Sequence, residues 1–182
     1  MSGAIYTVES GLAPGWEDEF LRWQAEEHVP LLLGLPGYRA VTRFRAAGLA
    51  NRFLNLWEVD STQRFHAPSH DAKVNTPWKA RIVPARELLI LSFYNVAATL
   101  PGPAQDRPAA ALLRHRWPAG GMPQAVADHL ASDPATCRVH VLTDENDPAR
   151  VTLLHLLATD LPAAPIAGAE TDRFIAISGE PA

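Results

Sequence analysis

Residues 53–60 read Phe53-Leu54-Asn55-Leu56-Trp57-Glu58-Val59-Asp60, and residues 153–160 read Leu153-Leu154-His155-Leu156-Leu157-Ala158-Thr159-Asp160. Both stretches are strand-like, and both close on an aspartate. A segment that recurs in each half of a 182-residue chain raises one question. If the elements around the two copies also match, the chain is a tandem repeat of one unit.

Around the first copy, Ala4 to Ser10 alternates polar and apolar residues as a strand does. Leu12-Ala13-Pro14-Gly15 turns the chain, and a helix is expected from about Trp16 to Leu33. Helical spacing gives it a buried stripe of Trp16, Phe20, Trp23, Glu27 and Leu31, with Leu32 beside it. Glu17, Asp18 and Glu19 sit where the helix dipole favours negative charge. Gly34, Pro36 and Gly37 stop the helix. Tyr38 to Arg45 and Arg52 to Asp60 are the next two strands. Ser61 caps a second helical region broken by Pro68 and Pro77, and Glu87 to Val96 closes the half as a strand.

Around the second copy the pattern restarts. Ala110 to Trp117, Arg138 to Thr143, Val151 to Thr159 and Phe174 to Ser178 read as strands. Met122 to Ala131 is a helix, and Leu161 to Ala169, with two prolines and a glycine, is a poor one. Pro118 to Met122 stands where Leu12 to Trp16 stands in the first half. Each half therefore has the order β-α-β-β-α-β, the split βαβ or ferredoxin-like motif. The expected organisation is a first half over 1–97, a proline-rich linker over 98–108 and a shorter, structural second half over 109–182. Such an α+β half carries helices on one face of an antiparallel sheet and must cover the other. Leu88 to Tyr94 and Leu153 to Leu157 are apolar on both faces. The expectation is two sheets packed face to face.

A formal charge of −4 and a pI near 5.9 give no general attraction for nucleic acid or anionic membrane. No apolar run is long enough to span a bilayer, and residues 1–10 carry no secretory signal pattern. Cys137 is the only cysteine, so no internal disulfide forms, and a packing role suits it. These features point to a cytoplasmic protein. Walker loops, G-x-G-x-x-G, G-x-S-x-G and H-E-x-x-H are absent.

Glu26-Glu27-His28-Val29-Pro30, followed by Leu35-Pro36-Gly37-Tyr38-Arg39, resembles the helix-to-strand passage of the dimeric α/β-barrel superfamily. It is most similar to EthD-like members, in which a histidine near the end of the first helix precedes a Pro-Gly and an aromatic residue. The resemblance covers about residues 4–96 and implies a fused dimeric α/β barrel. The superfamily includes cofactor-free monooxygenases, cyclases, isomerases and haem-binding proteins, and the fold does not choose among them.

His28 is the first catalytic candidate, with the helix dipole and the neighbouring Glu26 and Glu27 expected to favour its charged form. His70 is the second, as a polar group closing over a pocket between helix and sheet. Asn55 and Trp57 share one strand face and suit a hydrogen-bonding and an aromatic wall. Tyr38, Arg43, His66 and Trp78 complete the expected substrate-binding set; Arg43 shares one strand face with Arg39 and Arg45 and could hold an acidic ligand. His66, His70 and Asp71 lack a third fixed ligand position for a metal, whereas His115, His140 and His155 form a metal site only if all three share a sheet face. The leading expectation is an enzyme with no cofactor, acting on a small aromatic or polyketide-like molecule by histidine acid/base chemistry. The alternatives are a haem protein with His70 as axial ligand and a ligand-binding or assembly module without catalysis. Pairing of two chains as a homodimer is compatible with either.

Overall fold

The computed structural model describes residues 3–66, 68, 70, 75–117, 122, 124–160, 166 and 169–177. Among these residues it is a mixed α/β chain of eight strands in antiparallel ladders with few helices. The residues group into two compact units that meet in sequence between Phe93 and Tyr94.

In the first unit, β1 (Ala4–Leu12) is followed by a helical segment made of α1 (Glu17–Trp23), a π-helical turn (Gln24–His28) and α2 (Val29–Leu33). Strands β2 (Tyr38–Ala46) and β3 (Arg52–Val59) come next, then a short 3-10 turn at Thr62–Arg64, α3 (Pro77–Ile82) and β4 (Arg86–Pro101). The strand order is β4-β1-β3-β2. Asn55 on the central β3 faces Val8 of β1 on one side and Arg43 of β2 on the other. That register puts Tyr6, Val8 and Ser10 on the same face as Phe53, Asn55 and Trp57, and the helices cover it: Leu32 and Val29 pack with Tyr6 and Trp57. Tyr6 and Trp57 are wholly buried, each aromatic side chain contributing on the order of 2–3 kcal/mol by leaving water. As expected, Ser61 caps the turn after β3, its Oγ accepting the Gln63 N–H. Thr76 caps α3 in the same way for Lys79, with Pro77 in the first turn where no N–H is missed.

Gly37 sets the entry into β2. Its φ of +89° belongs to the left-handed region, and its carbonyl accepts the Asp60 N–H at 2.9 Å. A Cβ here would stand closer than 3.0 Å to the paired Asp60 and Arg64 side chains. Gly37→Ala is expected to cost about 1–3 kcal/mol of stability, read from the urea midpoint. An unchanged midpoint would show that the turn tolerates a side chain.

Strand β4 corrects two expectations. The first is that its apolar run is buried on both faces: Leu89, Ile90 and Leu91 are 44, 39 and 37% exposed. Alternation reports which residues are apolar and not what covers them. The second is the linker, because the strand continues through Ala98–Pro101 and pairs with β6. Pro101 is tolerated as the strand's last residue, where its missing N–H breaks no interior ladder bond.

The second unit contains β5 (Ala111–Trp117), α4 (Gln124–Ala131), β6 (Thr136–Asp144), β7 (Val151–Leu157) and β8 (Glu170–Ala176), in the order β8-β5-β7-β6. The back of β4 adds to β6. Burial of both faces over Leu153–Leu157 in β7, expected from its apolar run, is met. Cys137 is buried and its Sγ lies 3.5 Å from the Arg107 carbonyl, in keeping with packing. Residues 118–121 and most of the expected second helix over 161–169 lie outside the described residues, as does Asp71. No helix among the described residues is long and apolar enough to cross a membrane.

Candidate active site

The π turn decides which side chains the first helix turns toward the sheet. A π turn inserts one extra residue into a helix, so the buried stripe slips by one position beyond it. The α-helical spacing that holds for Phe20 and Trp23 continues as Gln24, His28 and Leu32; the expected stripe gave Glu27 and Leu31, with Leu32 only beside it and Gln24 and His28 outside it. Gln24 is 3% and Leu32 1% exposed, and the His28 ring stacks on Trp23 with centroids 4.5 Å apart. Glu27 is turned aside: its carboxylate accepts the Trp23 indole N–H at 3.0 Å and the Thr76 hydroxyl. Glu26 is exposed. Neither glutamate assists His28, contrary to the sequence expectation.

Between these helices and the sheet lies a cavity of about 130 Å³. Its walls include Tyr6, Trp23, Trp57 and Phe65, and its polar lining is Ser10, Gln24, His28, His70, Lys79 and Arg86. Among the described residues no carboxylate lines it. His28 is half-buried because one side of its ring faces this space, yet protein surrounds it. Desolvation, reinforced by the charges of Lys79, His70 and Arg86, pushes its pKa down to about 3. His28 is therefore a neutral imidazole at physiological pH, which reverses the expectation that the helix would favour its charged form. Among the described residues no hydrogen bond engages its ring.

Two more polar groups in the wall lack partners: the Tyr6 hydroxyl and the Trp57 indole N–H are buried without a hydrogen bond. Burial first, and the adjacent Tyr38 second, push the Tyr6 phenol well above its ordinary pKa, so it stays protonated as a donor. His70 is held by its Nδ1, 2.8 Å from the Tyr38 hydroxyl, and packs against Phe65.

Of the residues expected at the site, His28, His70 and Trp57 line the cavity. Tyr38 stands behind His70, and the Asn55 amide donates to Gln24 Oε1 at 2.8 Å, fixing a wall residue from behind. Arg43, His66 and Trp78 do not line it. Arg43 is buried and reaches the Leu21 carbonyl at 3.4 Å, which ties β2 to α1. His66 is exposed with its ring against Phe93, and Trp78 donates to Glu19 at 2.9 Å. Sequence reading missed Tyr6, Trp23, Gln24, Lys79 and Arg86 as wall residues. The alternation of Tyr6, Val8 and Ser10 could have revealed the first of them.

The three histidines of the second unit do not form a row. Register places His155 beside Leu113, on the face that carries His115, whereas His140 lies beside Leu154 on the other face. Each has one ring nitrogen against a threonine hydroxyl: His115 with Thr171, His140 with Thr99 and His155 with Thr136. Among the described residues no group of three metal-ligating side chains occurs. Haem does not fit the first-unit cavity either. About 130 Å³ lies below even the roughly 300 Å³ at which drug-sized pockets begin, and a porphyrin is larger than that.

No family model matches the chain, and no curated protein does. Solved structures do. An anthrone oxidase-like protein is 11% identical with a TM-score of 0.61, covering 97% of this chain and 91% of its own. A Fusobacterium nucleatum protein named as a candidate monooxygenase is 10% identical with a TM-score of 0.66, covering 96 and 92%. One named as a candidate chlorite dismutase is 9% identical with a TM-score of 0.58, covering 98 and 96%. At such identities the likeness shows the fold alone, that of dimeric α/β-barrel proteins. Nothing in it singles out the EthD-like branch.

Proposed function

We propose that the chain is a small-molecule enzyme that needs no organic cofactor and works on an aromatic substrate in the first-unit cavity. One observation carries this reading: a neutral His28 with no competing hydrogen bond faces an aromatic-walled space beside the unpartnered donors of Tyr6 and Trp57. His28 takes a proton from the bound substrate and returns it. As negative charge develops on the substrate it offsets the Lys79 and Arg86 charges that weaken the imidazole, so the basicity of His28 rises during the transfer. The resulting anion is the electron-rich species needed for reprotonation at another position, for cyclisation, or for attack on dioxygen as external oxidant. Fold neighbours with monooxygenase-type names support a place among small-molecule enzymes. On this reading the units are tandem ferredoxin-like copies, supported by their matching strand orders, and the second copy is structural.

The test is turnover of hydroxylated aromatics in air without added cofactor, with products identified by mass. Val8→Phe fills the cavity from the sheet side and is expected to abolish binding and turnover together while the fold survives. Turnover that persists in the filled variant would place the chemistry elsewhere.

A further inference from the structure

The cavity's size and charge specify its ligand more narrowly than the fold does. Its roughly 130 Å³ is close to the roughly 150 Å³ apolar cavity that accepts one benzene molecule. A single ring fills it, and fused rings exceed it. Five aromatic side chains, Tyr6, Phe20, Trp23, Trp57 and Phe65, stand around the space, so the body of the ligand meets planar apolar walls. The polar end is one-sided in charge. Lys79 and Arg86 both line the cavity and both act on His28, and the described lining residues include no aspartate or glutamate. Lys79 is bonded to the Asn75 side chain at 3.0 Å. Arg86 is half-buried and, among the described residues, meets no carboxylate and makes no hydrogen bond. Desolvation is costly for a guanidinium and lowers its pKa. The buried Tyr6 hydroxyl and Trp57 N–H add two donors that await an acceptor.

We infer that the site binds a single-ring acidic aromatic, of the phenol class, as its anion, with Arg86 as the counter-ion. This deepens the proposed function by naming the substrate class of the same cavity. The ring lies among the aromatic walls, and the oxyanion occupies the end where the positive charges gather. His28 relays the hydroxyl proton of the entering phenol to solvent and is uncharged again once the oxyanion sits against Arg86.

The experiment uses 4-nitrophenol, whose phenolate absorbs visible light and whose neutral form does not. Binding to the full chain, at a pH where the free probe is mostly neutral, is expected to generate the phenolate band. That corresponds to a fall of about one to three units in the probe's pKa, the range produced by an adjacent opposite charge. Arg86→Gln is expected to remove the shift and weaken phenolate binding about tenfold or more, with binding of neutral 4-nitrotoluene unchanged. Arg86→Lys, which keeps the charge, is expected to retain part of the shift and guards against misreading a folding defect. A bound probe that stays neutral would overturn the inference. So would an Arg86→Gln variant with unaltered affinity, or a two-ring naphtholate that binds as well as the single ring. None of these readings involves turnover, so the ligand class can fail while His28 catalysis stands, and the reverse.

Discussion

His28→Ala is expected to lower turnover of a bound phenol-class substrate by about 10²–10⁴-fold, the usual contribution of a positioned acid/base group. The effect falls on kcat, because the cavity that binds the ring is formed mainly by Trp57, Tyr6 and Phe65 and survives the change. His28→Gln keeps a polar side chain against Trp23 but cannot hold a proton, so it shares the kinetic defect with less disturbance of the helix. The pH profile supplies an independent check. The free protein's His28 titrates near 3, so the neutral base is present throughout the physiological range. From this group alone kcat/KM should stay level from pH 8 to about pH 5 and decline only as the pH approaches 3. An acid limb centred near the ordinary histidine value of about 6.5, absent in His28→Gln, would mean that water and counter-charge reach the ring. Undiminished turnover in both variants would remove His28 from the chemistry.

The two strands that begin the sequence argument became the central strands of their sheets, because local alternation and β-rich composition depend on neighbours a few residues away. Ser61 as a cap was legible for the same reason. The site was only half legible. His28 was chosen from a resemblance, and Trp57 and Asn55 from strand parity, and all three belong to the cavity or its backing. The phase of the helix was lost at the π turn, where nothing in Gln24-Ala25-Glu26-Glu27-His28 signals an extra residue per turn. A constant helical period therefore puts Glu27 and Leu31 in the stripe and omits Gln24 and His28, with Leu32 only beside it. Arg86 was hidden for another reason. A cation at the start of an apolar strand looks solvated until the helix packed over it is known, and long-range packing is what a single sequence withholds. The linker failed in a third way, since proline content suggested a break where Ala98–Pro101 still had a partner strand.

Acidification should unfold this protein earlier than its modest charge suggests. His115, His140 and His155 are at most 3% exposed, and burial holds each pKa near 4. Each leaves its second ring nitrogen buried without a partner: Nε2 of His115 and His140, and Nδ1 of His155. Protonation puts a charged ring among apolar neighbours, with one nitrogen lacking any acceptor, so the fold resists it. In the unfolded chain the same rings titrate near 6.5. Between about pH 6.5 and 4 the unfolded state therefore binds more protons than the native state, and stability falls as pH falls. Each ring contributes at most about 1.4 kcal/mol per pH unit, so by pH 5 the three remove on the order of 6 kcal/mol. That is a large share of the roughly 5–15 kcal/mol that stabilises a typical domain. Urea midpoints at pH 7, 6 and 5 should drop steeply. His140→Gln should flatten the dependence by about one proton's worth, because only one of the three sites is lost. His115 and His155, whose rings lie 6.3 Å apart, oppose each other's charging; replacing either should also ease protonation of the survivor. Equal midpoints at pH 7 and 5 would require the buried rings to accept protons within the intact fold. Water would then have to reach nitrogens that the packing of the second unit closes off.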